Sequence, residues 1–391
     1  MRHLYVVGRG ACSILGADHA ETVERLFSGA ALARSFQESG IGLEVPALAG
    51  VISGLDRRLG GRFREEGAAF RLVDAASREA LRGAHDCRRL RIYGGSNHGE
   101  TDVLLALSQM EQGAAQEEPR LWEALLRDPL PERLPSSLGP ETRLEAWTYS
   151  ACASAMHALA FALLDAQEDG DEASLVLVVG GDALSGIGMA GFYRLGASTR
   201  GQCRPFHADR DGLLVSEGAA ALLLSTTAAP GTPGPVRLLG MGMSCDAFHP
   251  TQPDPEGAVL ERAMRAALEQ AGVRLTDVGG LILHGTGTLA NDAAEASVCA
   301  RLWPAASIPV TSLKGALGHT MGASGLFNCV VAVEALQRGR LPPTRVEGAS
   351  AFEGVDLVTG APRPLRPGAP LLVSASGFGG NNVCAVFGVG R

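Results

Sequence analysis

Aromatic residues make up only 5% of the 391-residue sequence. No apolar run reaches the roughly 18 residues that a membrane-spanning helix needs. The net charge is −8, and lysine and arginine form no cluster interleaved with aromatics; Arg88-Arg89-Leu90-Arg91 is short and runs into a strand-like segment. Nucleic acid is therefore not an expected partner. The eight cysteines include no CxxC pair and are too sparse for a disulfide framework. This argues for a reducing compartment and against a metal site. The apolar run Leu4-Tyr5-Val6-Val7 is broken at Gly8-Arg9-Gly10, so it reads as a first strand and not as a signal peptide. The expectation is a soluble, cytoplasmic protein without a membrane anchor.

What is present is 46% hydrophobic residues and 51 glycines, a composition suited to an α/β protein with close helix–sheet packing. The length exceeds one ordinary core. Leu4 to Val7 reads as a strand closed by a turn at Gly8-Arg9-Gly10-Ala11-Cys12-Ser13. That turn lacks the third glycine and the later acidic residue of a dinucleotide loop. Further strands are expected at 90–93, 174–179 and 219–225, and helices at 20–28 and 66–82. The run Thr226 to Pro235 breaks every regular pattern. Beyond it, Leu238-Leu239-Gly240-Met241-Gly242-Met243-Ser244-Cys245 echoes the first strand and its GxG, followed by a helix at 259–271 and a strand at 280–283. Two similar halves follow, 1–235 and 236–391.

Four windows carry chemistry. Cys152 lies between Ala151 and Ala153, where a strand-like run turns into a helical pattern. A helix N-terminus favours a thiolate there and draws its pKa toward neutrality. Leu283-His284-Gly285-Thr286-Gly287-Thr288 puts a histidine at a strand end and two hydroxyls on one loop. Lys314-Gly315-Ala316-Leu317-Gly318-His319 sets a lysine and a histidine near one point, and a lysine in so apolar a setting needs a partner. Glu295 is the expected counter-ion. Ser376-Gly377-Phe378-Gly379-Gly380 is a glycine turn able to present N–H groups to an oxyanion. Each window alone also has a plain reading: a buried thiol, a satisfied histidine, a surface lysine, a hairpin.

Taken together, these windows resemble the β-ketoacyl-acyl carrier protein synthases of the thiolase superfamily, of the Cys/His/His type. The resemblance runs from the first strand through Arg204-Pro205-Phe206 and Asp209-Arg210-Asp211-Gly212 to the final glycine turn. It implies a duplicated, five-layered αβαβα fold with two mixed sheets, and a homodimer or a heterodimer with a second ketosynthase-like subunit. It also implies a decarboxylative Claisen condensation. Cys152 would be the acylated nucleophile, His284 and His319 would hold the malonyl thioester, and Lys314 with Glu295 would support them. The N–H groups of Cys152 and Phe378 would form the oxyanion hole, with Phe378 also acting as a gate. Thr286, Thr288, His98 and Gly379 would line the pantetheine and acyl path. No metal or resident cofactor is implied, since the substrates ride on the phosphopantetheine of an acyl carrier protein.

Four departures stand out. Ser376 replaces a common aromatic and Ser216 a common glycine, neither expected to touch the three catalytic residues. The stretch from Gly99 to Cys152 is shorter than the family pattern, and His98 falls where an aliphatic tunnel residue is common. The acyl pocket is therefore expected to be altered, which favours a free-standing polyketide or other secondary-metabolite synthase over housekeeping fatty-acid elongation. The alternatives are an acyltransferase that uses Cys152 without decarboxylation, and a chain-length partner subunit without chemistry.

Overall fold

The computed structural model describes residues 4–29, 34–35, 48–52, 67–84, 89–99, 101, 129–168, 175–229, 234–304 and 307–390. Most of the stretch expected to be shortened, 102–128, lies outside the described residues, as does Arg88 of the arginine run.

The first half supplies strands β1 (Leu4–Ser13), β2 (Leu90–Gly95), β3 (Thr142–Thr148), β4 (Leu175–Asp182) and β5 (Gly218–Ser225). The second supplies β6 (Val236–Cys245), β7 (Gly280–Ile282), β8 (Pro309–Thr311), β9 (Asp356–Leu357), β10 (Leu371–Gly377) and β11 (Asn381–Val389). The helices that position the site are α1 (His19–Ser28), α2 (Ala68–Ala80), α3 (Ser154–Glu168), α4 (Gly186–Arg194), α5 (Ala258–Ala271), α6 (Leu289–Leu302), α7 (Lys314–Leu317) and α8 (Ser324–Arg338).

The strands lie in the order β9-β8-β7-β10-β11-β6-β1-β5-β4-β2-β3. Counted from β1, the first half places its first, last, fourth, second and third strands side by side. Counted from β6, the second half runs first, last, penultimate, second, third, with β9 added at the edge. Both halves are mixed: β4, β2 and β3 are parallel neighbours, as are β10, β7 and β8, while β5 and β11 run antiparallel. The two mixed sheets are joined at one point, where Leu4 pairs with Leu238 and Tyr5 with Arg237.

Three of the four apolar clusters among the described residues separate the layers. Helices α3 and α8 fill the middle one between the two sheets, α2 covers the outer face of the first sheet, and α5 that of the second. This is the thiolase-like α/β fold.

One local expectation is corrected. The GxG pairs are not turns, because β1 runs straight through Gly8 and Gly10, and β6 through Gly240 and Gly242. A side chain at Gly8 or Gly10 would place its Cβ 2.0 Å from Ala80 O or 1.9 Å from Ala76 O of α2. At Gly242 it would fall 2.1 Å from Ala263 O of α5. The repeated motif is thus a repeated packing device: bare backbone on the first strand of each half lets an outer helix lie directly on the sheet.

Candidate active site

Strand β3 ends at Thr148, and the chain turns through the 3-10 turn Ala151–Ala153 into α3. Ala151 has φ 50°, a left-handed conformation that costs energy for any residue with a side chain. The turn is held from below. Ser154 Oγ accepts from Ser150 N (2.9 Å) and donates to Ala151 O (2.6 Å), and Thr148 Oγ1 donates to Ser154 O (2.7 Å). Cys152, 4% exposed, is pushed to the turn's apex beside a cavity of about 260 Å³. Burial pushes its thiol up to about 12, against the pull of Lys314. The expected near-neutral thiolate is therefore not the resting state, because burial outweighs the opposing pull.

His284 and His319 line the same cavity, their rings 5.2 Å apart and nearly perpendicular. His284 follows β7, where the chain leaves the sheet and its N–H groups lose their ladder partners. Glu295, on the buried side of α6, replaces those partners: Oε1 accepts from His284 N (2.9 Å) and Oε2 from Gly285 N (2.7 Å). Ser374 Oγ and Asn291 Nδ2 donate to the same carboxylate. Glu295 is thus not ion-paired with Lys314 as expected, since its oxygens are taken by the loop it fastens. It acts on the lysine only through its charge.

Lys314 is the only lysine in the sequence. It is buried, donates to His284 O and lies 3.3 Å from His284 Nδ1. Burial draws its ammonium down to about 8. An ammonium donating to Nδ1 leaves the ring proton on Nε2. Burial, followed by the charge of Lys314, holds both histidines well below their usual value, so both rings are neutral near pH 7.

His319 is fixed by its backbone: its N–H donates to Leu214 O (2.6 Å) and its carbonyl accepts from Ser216 N (3.0 Å). Its Nδ1 has no hydrogen-bond partner among the described residues. Ser216, expected to stand clear of Cys152, His284 and His319, therefore carries part of the strap on His319. Ser376 likewise lines the cavity with Cys152, and its Oγ donates to Asn382 Oδ1 (2.8 Å).

The glycine turn abuts Cys152. A Cβ at Gly377 would lie 3.2 Å from Cys152 N and 2.9 Å from Ser150 O. Only glycine brings the two candidate oxyanion N–H groups onto adjoining turns. Phe378 closes the cavity by packing on Phe192, with centroids 5.6 Å apart. Thr286 and Thr288 line the cavity with their hydroxyls 2.8 Å apart.

Two expected substrate contacts do not lie on this cavity. Gly379 is exposed, and its N–H donates to Pro250 O (2.8 Å). The N–H of His98 is drawn to Asp182, and its ring packs over Gly188 of α4, where a Cβ would come 2.7 Å from Nε2.

The motif reading passed over two carboxylates. Asp292 accepts from Thr286 N (2.9 Å), Gly287 N (3.2 Å) and Phe206 N (2.7 Å), tying the Arg204-Pro205-Phe206 segment to the histidine loop. Its place in the first turn of α6, beneath a loop with free N–H groups, was the available signal. Asp182 is the other. Among the described residues no helix is long and apolar enough to cross a membrane.

Residues 66–229 match the family model for the β-ketoacyl synthase N-terminal domain, and residues 236–346 match that for the C-terminal domain. Nodulation protein E of Rhizobium meliloti is 38% identical over 201 residues, covering 50% of this chain and 49% of that protein. The 3-oxoacyl-[acyl-carrier-protein] synthase 2 of Vibrio cholerae is 33% identical over 254 residues, covering 61% and 60%. The chain thus spans about half the length of the curated relatives it matches first. The solved ishigamide ketosynthase/chain length factor is similar over 100% of both chains, with 28% identity and a TM-score of 0.87. Both family models fall on the halves that bring Cys152, His284 and His319 to one cavity, and the chain belongs to the β-ketoacyl synthase family.

Proposed function

We propose that the chain catalyses a decarboxylative Claisen condensation between an acyl group carried on Cys152 and a malonyl thioester, both delivered by an acyl carrier protein. The observation that carries this reading is the convergence of Cys152, His284 and His319 on one cavity, with Lys314 fixing the proton of His284 on Nε2.

In the first step Cys152 Sγ attacks the acyl thioester carbonyl. The oxyanion is held by the N–H groups of Cys152 and Phe378, the carbon–sulfur bond to pantetheine breaks, and the cysteine proton leaves with the pantetheine thiol. Malonyl carrier protein then binds with its thioester oxygen between the two neutral histidines. Among the described residues the cavity wall includes Asp211 and Asp246 and no lysine or arginine, so no cation of the described wall pairs with the malonyl carboxylate. Desolvated and unpaired, it is lost as carbon dioxide, and the electron pair passes to an enolate whose oxygen the histidines hold. The enolate carbon attacks the acyl-cysteine carbonyl. A carbon–carbon bond forms, the bond to Sγ breaks, and the Cys152 thiolate takes a proton from solvent.

The acyl group read here is that of a polyketide or other secondary-metabolite pathway, supported by the Ser376–Asn382 hydrogen bond in the cavity wall. The assembly proposed is a dimer of ketosynthase-like chains built on halves 1–235 and 236–391. The outer edge of β3 carries no neighbour among the described strands, and Tyr149, Phe161 and Leu164 are exposed on β3's exit and α3. A partner would cover such an edge.

Intact-mass measurement of the protein with saturated and oxygen-bearing acyl carrier proteins tests the reading. Oxygen-bearing chains are expected to load faster on the wild type, and Ser376→Phe is expected to remove that preference. Fastest loading of a long saturated chain by the wild type contradicts it.

A further inference from the structure

The mouth of the cavity is rimmed by apolar side chains that take no part in the condensation. Leu195, just after α4, and Leu289, the first residue of α6, line the cavity and are more than half exposed, which places both at its opening. Phe248 is exposed to a similar degree and lies in the loop after β6, between Asp246 and Thr251, which also line the cavity. Three separate elements thus hold large apolar groups out into water around one opening. From it an apolar stripe continues along α4. Ile187, Gly191 and Leu195 recur every four residues and are all exposed, and a Cβ at Gly191 would meet nothing within 4 Å. A contiguous patch of this kind marks a surface that is covered in use.

The rim is fixed in that shape. Asp246 Oδ1 accepts from Phe248 N (3.0 Å) and Oδ2 from Asp254 N (3.4 Å), while Pro250 O accepts from Gly379 N (2.8 Å). The loop that presents Phe248 is therefore tied to itself and to the glycine turn beside Cys152, and has little freedom left to lose on binding. The wall's carboxylates are turned to their own loops, Asp246 as above and Asp211 by accepting from Thr199 Oγ1 and Arg200 N. Arg194 and Arg200, exposed next to Leu195 and Asp211, are balanced by these two carboxylates. No ammonium is available for an ionic contact, since the only lysine, Lys314, is buried.

We propose that the acyl carrier protein docks on this rim through an apolar helical face, with Phe248, Leu195 and Leu289 around its pantetheine arm and the α4 stripe beneath it, so that apolar fit and not charge selects the carrier. The inference rests on the reading that carrier-borne acyl groups reach Cys152. The occupant follows from continuity. The stripe runs onto the opening through which the acyl chain passes to the sulfur, so the protein at the other end of that chain comes to rest on it. A stripe with a bare glycine at its middle leaves room for a helix to lie close, and large apolar side chains at its ends give that helix its anchors.

The test follows acyl loading of Cys152 by intact mass in the full chain from two donors, hexanoyl-acyl carrier protein and free hexanoyl-pantetheine. Phe248→Asp and Ile187→Asp change exposed side chains outside the cavity wall. Each is expected to raise KM for the carrier about ten-fold, the loss of one apolar anchor, with kcat and loading from hexanoyl-pantetheine unchanged. On the wild type, KM for the carrier is expected to stay within about two-fold between about 0.01 M and about 1 M salt, as the screening length falls from about 30 Å to about 3 Å. A wild-type KM for the carrier in both variants overturns the proposal, as does a KM that rises about ten-fold or more with salt. A changed oligomeric mass in the variants with an unchanged KM gives the face to a second copy of the chain and overturns it too. The salt series needs no variant, and hexanoyl-pantetheine reports on Cys152 alone, so failure of the docking surface and failure of Cys152 as nucleophile are separate results.

Discussion

Cys152 and His284 are buried to nearly the same degree, 4% and 3% exposed, and are held in opposite ways. The cysteine sits among small residues on a strained turn held by bonds among Ser150, Ala151, Ala153 and Ser154. Burial governs the sulfur more than the opposing charges of Lys314 and Asp182 do. The histidine is tied at its N–H by Glu295, at its carbonyl by Lys314, and through its neighbouring loop by Asp292. The difference follows from the chemistry proposed for each. A sulfur that picks up and releases an acyl chain needs open space beside it. Groups that receive an enolate's charge work best when their dipoles are already in place.

The largest expected effect comes from cutting the second kind of support. Glu295→Ala strands the N–H groups of His284 and Gly285, at about 1–3 kcal/mol for each buried group left unpaired. A lowered melting temperature with condensation reduced more than cysteine loading is expected. Equal loss of both steps would mean that the two regions are not separately supported.

A smaller effect is expected from pH. Lys314, drawn down to about 8, loses its charge as pH rises through that value. Condensation should fall above about pH 8 while acyl loading holds. The stability contribution has the opposite sign. Between about 8 and the ordinary 10.5 the unfolded chain binds a proton that the folded one does not, so this group's contribution to stability rises with pH. As the only lysine, it gives a single resonance after lysine-specific labelling, and a midpoint near 10.5 would break the account.

Cys152, His284 and His319, which meet at one cavity, were legible because each sits in a short motif. Groups that act across the fold were not. The GxG pairs carry the same local signal whether they serve a turn or a helix lying on a strand, and only the position of α2 or α5 decides between them. Pairing Lys314 with Glu295 by charge sign overlooked the N–H groups left unpaired where the chain leaves β7. Asp182 read as the close of a strand, since nothing local announces that Gly322, 140 positions later, donates to it. His98 and Gly379 were placed by resemblance, and their own backbone bonds take them elsewhere.

The central claim is a division of labour: the first half carries the acyl group and the second makes the enolate. It is tested most directly by crossing two assays, acyl-enzyme formation by intact mass and carbon dioxide release from malonyl carrier protein. Cys152→Ala is predicted to lose the adduct and still release carbon dioxide. His284→Ala and His319→Ala are predicted to load the acyl chain and to lose about 10²–10³ in carbon dioxide release, the usual cost of removing one donor to a developing oxyanion. Loss of both activities in Cys152→Ala, or loss of loading in the histidine variants, would contradict it.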